Sequence, residues 1–170
     1  MTGWKLACTS TAHSSILSAA DVLDVDVLLV PEDDEGRLTG RALAQALDGA
    51  EGVFAVVASA GSTNEGIVDD LASIAHVCGE LGIWLHGDGA CGGAALCAPS
   101  ARPRFAGIER ADSMIVDPHK WLFAPYDCCA LIYRDGARYR SRSRSLALAG
   151  TILCLPTSQL GRTVLRAMAD

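Results

Sequence analysis

Lys120 has the surroundings of a reactive group rather than of an ordinary surface charge. The chain of 170 residues contains twelve arginines and only two lysines, Lys5 and Lys120. Lys120 follows Asp117-Pro118-His119 and precedes Trp121. An ammonium, unlike a guanidinium, can lose a proton when it is desolvated and then attack a carbonyl carbon. Lys120 is therefore a candidate Schiff-base lysine, and the alternative is an amphipathic lysine packed on Trp121.

Asp88 lies in the glycine-rich turn Gly87-Asp88-Gly89-Ala90, at the end of a predicted strand. Its position beside a candidate Schiff-base lysine suggests pyridoxal phosphate as a cofactor. That cofactor works as an electron sink only while its pyridine nitrogen is protonated, and a buried carboxylate stabilises the protonated form. The alternative for Asp88 alone is an Asx turn, which is a common use of aspartate beside glycine.

Three other side chains are weaker candidates. Ser62 and Thr63 lie in the loop 61–66, which leads towards a helix, and their hydroxyls can donate to a phosphate or a ring oxygen. For the loop alone, a plain turn is the favoured interpretation. His13 has no distinctive spacing and is by itself typical of a surface or helix-capping histidine.

A metal site is the alternative use of the polar residues near Asp88. The candidate ligands are His86, Asp88, Cys91 and His119, because strand alternation places His86 and Asp88 on one face. No second spaced pair completes a recognised site, so this alternative is not favoured. The seven cysteines lack CxxC spacing, and most are expected to be reduced core residues.

Alternating strands and helices are expected to position these groups. Thr39 can cap a helix through Leu47, and a second helix has Asp69 and Asp70 in its first turn and Gly82 just past its end. A weaker helical stretch covers about residues 105–110. Apolar, β-branched runs predict strands at 26–30, 53–59, 83–86, 113–116 and 129–133.

This alternation predicts an α/β fold, a mostly parallel sheet with helices on its faces. Ligands of such sheets bind beyond the carboxyl ends of the strands. Three polar groups follow strand ends: Ser62 with Thr63, Asp88, and His119 with Lys120. We expect these groups to converge on one site.

Composition and charge limit the class of protein. Half of the residues are hydrophobic and a fifth are charged, which is typical of a globular domain. No apolar run approaches the roughly 20 residues that span a bilayer, and the first residues lack signal-peptide order, so a cytoplasmic location is expected. Residues 1–135 carry eight basic and nineteen acidic side chains, a net charge of −11 that argues against nucleic-acid binding.

Residues 136–170 break the pattern. They carry six arginines and one aspartate. Four of these arginines, between 138 and 144, alternate with tyrosine and serine, and an apolar run follows those four. Two interpretations stay open: a solvated arginine-rich linker, or sequence that has left its ancestral reading frame. We therefore expect two parts, a partial cofactor-binding domain at 1–135 and an atypical tail at 136–170 that is disordered or out of frame.

Four segments occur in an order that amounts to a resemblance. Together they resemble the group II pyridoxal-phosphate-dependent decarboxylases, the group that acts on glutamate, aromatic amino acids and histidine. The resemblance covers about residues 4–135 and implies part of the large domain of the aspartate-aminotransferase-like fold, called fold type I. The segments are Thr11-Ala12-His13-Ser14-Ser15, Gly61-Ser62-Thr63-Asn64, Ile83-Trp84-Leu85-His86-Gly87-Asp88-Gly89-Ala90 and Asp117-Pro118-His119-Lys120-Trp121.

The resemblance implies a role for each matched residue. Lys120 holds pyridoxal phosphate as a Schiff base, and His119 contacts the cofactor beside it. Asp88 pairs with the pyridinium nitrogen. Ala90 packs on one face of the ring, and His13 stacks on the other and assists protonation.

Thr63, with Ser62 before it, is expected to contact the cofactor near its ring substituents. Two departures from the family pattern flank Asp88: Cys91 stands where tyrosine is frequent, and Gly87 where valine is usual. The implied reaction of the family, in amino-acid metabolism, releases carbon dioxide from an L-amino acid. The resemblance also implies a homodimer with a small-molecule substrate, while the charge and the short apolar runs argue against a nucleic-acid and a membrane partner.

Several family segments are not recognisable in the chain. These are the upstream phosphate-binding segment, the downstream active-site loop and the small C-terminal domain, so a truncated form or a damaged gene is expected. Two alternatives stay open. One is another fold type I enzyme, such as a cysteine desulfurase or an aminotransferase, against which the His119-Lys120-Trp121 segment argues. The other is a non-catalytic remnant of the fold.

Overall fold

Six strands and three α-helices make up the described part of the chain, which in this computed structural model is residues 3–126 and 128–135. The helices are α1 (Ser14–Leu23), α2 (Gly40–Leu47) and α3 (Leu71–Leu81). Three short 3₁₀ helices cover Gly92–Cys97, Arg102–Phe105 and Ile108–Arg110. The strands are β1 (Lys5–Cys8), β2 (Asp26–Leu29), β3 (Val53–Ser59), β4 (Trp84–Asp88), β5 (Ser113–Val116) and β6 (Ala130–Tyr133).

The strands form one sheet in the order β2-β1-β3-β4-β5-β6. All neighbouring pairs are parallel except β5 and β6, which are antiparallel. The α/β class and the mostly parallel sheet predicted from the sequence are therefore confirmed. The central strand β3 buries four successive residues, 55–58, as expected for a strand covered on both faces. The core beside it includes Leu43 of α2 and Leu71 and Ile74 of α3.

Local signals predicted the helix ends well. The Thr39 hydroxyl accepts a hydrogen bond from the Ala42 N–H at 3.2 Å and caps α2. Gly82 ends α3 with φ of +66°, the left-handed conformation that glycine adopts without strain. In contrast, β1 and α1 were not predicted, because β1 (KLAC) contains no β-branched or aromatic residue and α1 is rich in serine and alanine.

Two sequence predictions about helices are wrong. The stretch 105–110 is not one weak helix, because Ala106 and Gly107 separate two 3₁₀ segments and Gly107 has φ of +98°. Asp69 does not lie in the first turn of α3, since Asp70 is the N-cap residue. Asp69 is instead buried, and its carboxylate accepts backbone N–H bonds from Leu38 at 2.8 Å and Ser59 at 2.6 Å.

None of the helices within the described ranges is long and apolar enough to span a membrane. The six cysteines in those ranges form no disulfide bonds. The predicted core location is confirmed for Cys8 and Cys78, whereas the other four are only half-buried. The tail predicted for residues 136–170, together with Cys154, lies outside the described residues.

Asp69 makes stability depend on pH in an unusual direction. Burial raises its pKa from 3.8 to about 6, against the opposing effect of the two N–H bonds. The folded chain therefore binds this proton more tightly than the unfolded chain. We expect Asp69 to lower the free energy of unfolding by roughly 1–3 kcal/mol as the pH rises from about 4 to about 6.

The substitution Asp69→Asn should remove this part of the pH dependence. Urea unfolding of both chains at pH 4.5 and pH 7 measures it, and Asp48→Asn, which changes an exposed carboxylate, is the matched control. A wild-type pH slope that persists in Asp69→Asn would contradict the assignment.

Candidate active site

A cavity of about 590 Å³ opens at the carboxyl ends of β3, β4 and β5. Its walls are the segments 11–16 and 61–65, with Asp88 and Ala90 after β4 and Asp117 and Lys120 after β5. Sites that hold cofactors and other small molecules have volumes of this order. The cavity therefore lies where the sequence predicts a ligand to bind, beyond the carboxyl ends of the strands.

The structure brings most of the predicted residues together. Ser62 and Thr63, Asp88 with Ala90, Lys120 and His13 all line the cavity. His119 is not among the lining residues: its Nδ1 lies 2.6 Å from the carbonyl oxygen of Cys128, and its ring meets the edge of Tyr126. The expected convergence is therefore found for Ser62, Thr63, Asp88 and Lys120, while the roles of all these residues stay predictions.

The parallel register of the sheet positions Asp88. Asp88 pairs with Ser59 of β3 on one side and with Ile115 of β5 on the other. Its Oδ1 accepts a hydrogen bond from the Ala90 N–H at 3.1 Å, so the Asx turn considered for this residue is also present. That bond fixes the rotation of a carboxylate that faces the cavity.

Glycines on either side of Asp88 allow close packing. A Cβ at Gly87 would lie 2.6 Å from Cδ1 of Ile108, so the space of the usual valine is filled here by a neighbouring side chain. A Cβ at Gly89 would lie 2.5 Å from Cε of Met114 and 2.9 Å from the carbonyl oxygen of Ile115. At Gly89 the turn therefore approaches the backbone of β5 too closely for a side chain, whereas the nearest atom at Gly87 is the tip of the Ile108 side chain.

His86 shares the cavity-facing side of β4 with Asp88, as strand alternation predicted. Its Nδ1 lies 2.8 Å from Oγ of Ser113, which also accepts a hydrogen bond from Nε1 of Trp84 at 2.9 Å. Burial lowers the pKa of His86, and the charge of Asp88 opposes that effect only in part. His86 is thus a neutral, hydrogen-bonded imidazole two residues before Asp88 on the same side of β4. Ser113 was not predicted as the hydrogen-bond partner of His86.

Lys120 is paired with Asp117 rather than packed on Trp121. Nζ of Lys120 lies 3.0 Å from Oδ2 of Asp117. Trp121 instead lines a separate cavity of about 380 Å³. The contact of Asp117 with Lys120 was not predicted from the sequence, although the i, i+3 spacing across Pro118 was a usable signal.

Glu32, which follows β2, holds the segment that carries His13. Its Oε1 accepts hydrogen bonds from Oγ of Ser10 at 3.0 Å and from the N–H and Oγ1 of Thr11, both at 3.2 Å. His13 is the N-cap of α1, and its Nδ1 accepts a hydrogen bond from the Ser15 N–H at 3.3 Å. Glu32 was not predicted, because it lies 21 residues from Thr11 and no local pattern links the two.

The loop 61–66 is closed by its own backbone. The N–H groups of Gly61 and Ser62 both donate to the carbonyl oxygen of Ile67, and Oγ of Ser62 accepts from the Ile67 N–H at 3.1 Å. The Ser62 hydroxyl is therefore engaged within the loop, whereas Thr63 is exposed at the cavity. Gly61 approaches the next segment so closely that its Cβ would lie 2.5 Å from Cα of Gly92.

The geometry does not support the metal alternative. Residues 3–126 and 128–135 contain no group of three or more histidine, cysteine, aspartate or glutamate side chains that could hold a metal ion. Of the four candidate ligands, His86, Asp88 and Cys91 line the cavity, and His119 does not. The cavity therefore offers an amine, imidazoles and three carboxylates, which do not form a metal-binding cluster within the described ranges.

Residues 4–144 match the family model described as the pyridoxal-dependent decarboxylase conserved domain. The chain belongs to this family. A 3,4-dihydroxyphenylacetaldehyde synthase of Aedes aegypti is 38% identical over 140 residues, which are 79% of this chain and 27% of that protein. A histidine decarboxylase of Drosophila melanogaster is 39% identical over 132 residues, which are 75% of this chain and 16% of that protein.

Solved structures of pyridoxal-dependent decarboxylases show the same fold. Mouse CSAD in its apo form superposes with a TM-score of 0.78 at 29% identity, over 98% of this chain and 42% of that one. Oryza sativa TDC with PLP superposes with a TM-score of 0.69 at 27% identity, over 74% of this chain and 28% of that one. The described α/β sheet is therefore part of a fold type I large domain, and the chain spans about a quarter of the length of the Aedes relative.

The contact between Gly61 and Gly92 gives a test of the cavity wall. We expect Gly66→Ala, at φ of +67° with open space around it, to cost only about 1 kcal/mol of backbone strain. Gly61→Ala should lower the free energy of unfolding by about 1–3 kcal/mol more, because it also forces two backbones apart. Urea unfolding followed by circular dichroism measures both. Equal losses in the two variants would show that the backbones are not in close contact.

Proposed function

We propose that this chain is the cofactor-binding core of a pyridoxal-phosphate-dependent amino-acid decarboxylase. The observation that carries the proposal is the meeting of Lys120, Asp88 and His13 at one cavity in a member of this family. An amine, a carboxylate and an aromatic imidazole are the groups that such a cofactor needs. They come from three different elements, so their meeting is a property of the fold.

The cavity residues fit pyridoxal phosphate in both size and chemistry. Lys120 supplies the amine that would hold the cofactor covalently, and Asp88 supplies the carboxylate that would keep a pyridine nitrogen protonated. When bound, the cofactor supplies an electron sink for the negative charge that develops as carbon dioxide leaves an amino acid. The Ala90 N–H holds Asp88 in one rotamer, so the position of the carboxylate is set before any ligand arrives.

The remaining cavity residues would orient the ring. His13 and Ala90 would pack on opposite faces of the ring. The hydrogen bonds of His13 to Ser15 hold the imidazole at the N-terminus of α1. An imidazole at that place can also carry a proton to the reacting carbon. Thr63 and Ser62 would contact ring substituents, and His119 would contact the cofactor only after its ring leaves the Cys128 carbonyl.

The substrate in this proposal is an L-amino acid, and the setting is cytoplasmic amino-acid metabolism by a homodimer. The names of the relatives, which include histidine and aromatic-L-amino-acid decarboxylases, support an amino-acid substrate. No specific observation favours a desulfurase or an aminotransferase.

Lys120 is testable by chemical trapping. Incubation of the chain with pyridoxal phosphate, followed by borohydride, should leave a phosphopyridoxyl group on the peptide that contains Lys120, located by mass spectrometry. Lys120→Arg should abolish the adduct, because a guanidinium does not attack the aldehyde. Lys5→Arg is the matched control and should leave the adduct unchanged. An adduct found only on Lys5 or the N-terminus would refute the assignment.

Asp88 is testable by affinity. We expect Asp88→Asn to weaken pyridoxal phosphate binding roughly 10- to 100-fold, the effect of losing one hydrogen bond to a charged group. Fluorescence titration measures the affinity. Glu65→Gln, which also removes a carboxylate from the cavity lining, is the control and should have little effect. Equal losses in both variants would indicate a general charge effect instead of a specific pairing.

Turnover separates the proposal from a non-catalytic remnant. The purified chain with pyridoxal phosphate is supplied with a panel of L-amino acids, and released amine and carbon dioxide are measured. Release that is lost in Lys120→Arg identifies an enzyme. An adduct on Lys120 without any release identifies a cofactor-binding module that does not turn over by itself.

A further inference from the structure

Asp117 holds the side chain of Lys120 through both backbone and charge. The Asp117 carbonyl accepts the Lys120 N–H at 3.0 Å, which closes a turn with Pro118 at its second position. This turn places the two side chains together, with Nζ 3.0 Å from Oδ2. The side chain of Asp117 is 13% exposed and that of Lys120 is 31% exposed, so solvent screens the pair only in part.

A second bond ties the same turn to the rest of the site. The Asp117 N–H donates to the carbonyl oxygen of Ala90 at 3.2 Å. Ala90 belongs to the turn that fixes Asp88, through the bond from its N–H to Oδ1. Asp117, which pairs with Lys120, is thus bonded through its backbone to Ala90, the same residue whose N–H holds the carboxylate of Asp88.

The charges around Lys120 favour its protonated form. Burial lowers the pKa of Lys120, but the hydrogen bond and charge of Asp117, followed by the charges of Cys91 and Asp88, outweigh burial and raise it above its ordinary value. A protonated amine has no lone pair with which to attack a carbonyl. The remaining ionisable side chains that line the cavity are His13, Glu65 and His86.

We propose that Asp117 is a positioning residue that keeps Lys120 charged and docked in the cofactor-free chain, and so sets the pH at which Lys120 becomes a nucleophile. The step that it controls is a proton transfer. The N–H bond at Nζ breaks, its electron pair stays on nitrogen, and the proton goes to Oδ2 of Asp117 and from there to water. This inference deepens the proposed function and rests on it for the purpose of the lysine.

Competitive acetylation tests the inference without any cofactor. Trace acetic anhydride reacts with the unprotonated amine, and peptide mass spectrometry reads Lys120 and Lys5 separately in the same sample. Lys5, the only other lysine of the chain, serves as the internal reference for reagent and protein amounts. A synthetic peptide of residues 115–123 supplies Lys120 without the fold.

We expect the half-maximal pH of Lys120 acetylation to lie higher in the folded chain than in the peptide. In Asp117→Asn it should fall by about one pH unit, the effect of removing an opposite charge at this distance. Asp117→Glu keeps the charge and should restore most of the wild-type value. Asp48→Asn removes a carboxylate that does not line the cavity and should change nothing.

Two results would overturn the inference. One is an equal or lower half-maximal pH in the folded wild-type chain than in the peptide, a comparison that needs no variant to fold. The other is an unchanged half-maximal pH in an Asp117→Asn chain whose circular dichroism matches the wild type.

A separate arm distinguishes this inference from the proposed function. Asp117→Asn should capture pyridoxal phosphate faster than the wild type at pH 7, measured as borohydride-trapped adduct on Lys120 against time. A shifted acetylation profile with no adduct in either chain would leave the control by Asp117 standing and refute the cofactor. Equal capture rates with a shifted profile would show that deprotonation does not limit capture, and would refute its role there.

Discussion

The parallel register of β3, β4 and β5 is the constraint on which the candidate site depends. Ser59, Asp88 and Ile115 lie side by side across the three strands, and the Ala60 N–H donates to the carbonyl oxygen of Asp88 at 2.7 Å. Because the strands end at the same level, the turns that follow them open on one side of the sheet. A change of register by one residue would turn Asp88 away from the cavity, since successive side chains of a strand point to opposite faces.

Local physics explains which elements were predictable. The cap at Thr39, the left-handed glycine at Gly82 and the buried run of β3 are each encoded within a few residues, and each was predicted from the sequence. The convergence of Ser62, Thr63, Asp88 and Lys120 followed from topology alone, because parallel strands align their ends. A weakly patterned element such as β1, which lacks β-branched residues, or α1, which is rich in serine and alanine, carries no comparable local signal.

What escaped prediction depends on contacts between distant parts of the chain. Glu32 binds Thr11 from 21 residues away, Ser113 joins Trp84 to His86 across the sheet, and Asp69 satisfies two backbone N–H groups from different segments. Each of these side chains is polar, so composition alone assigns it to the surface or to a helix cap. Only the three-dimensional path of the chain shows which distant groups they hydrogen-bond.

The close approach of Gly61 and Gly92 restricts which walls of the cavity can move relative to each other. The carbonyl oxygen of Gly61 also accepts the Gly92 N–H at 3.2 Å, so the wall that carries Thr63 and the segment that follows Asp88 are joined backbone to backbone. These two walls should therefore behave as one rigid body. The opposite wall, residues 11–16, is joined to β2 through side-chain hydrogen bonds of Glu32, which can break one at a time. We therefore expect a planar ligand to enter most easily past residues 11–16, the segment that carries His13, which is proposed to stack on such a ligand.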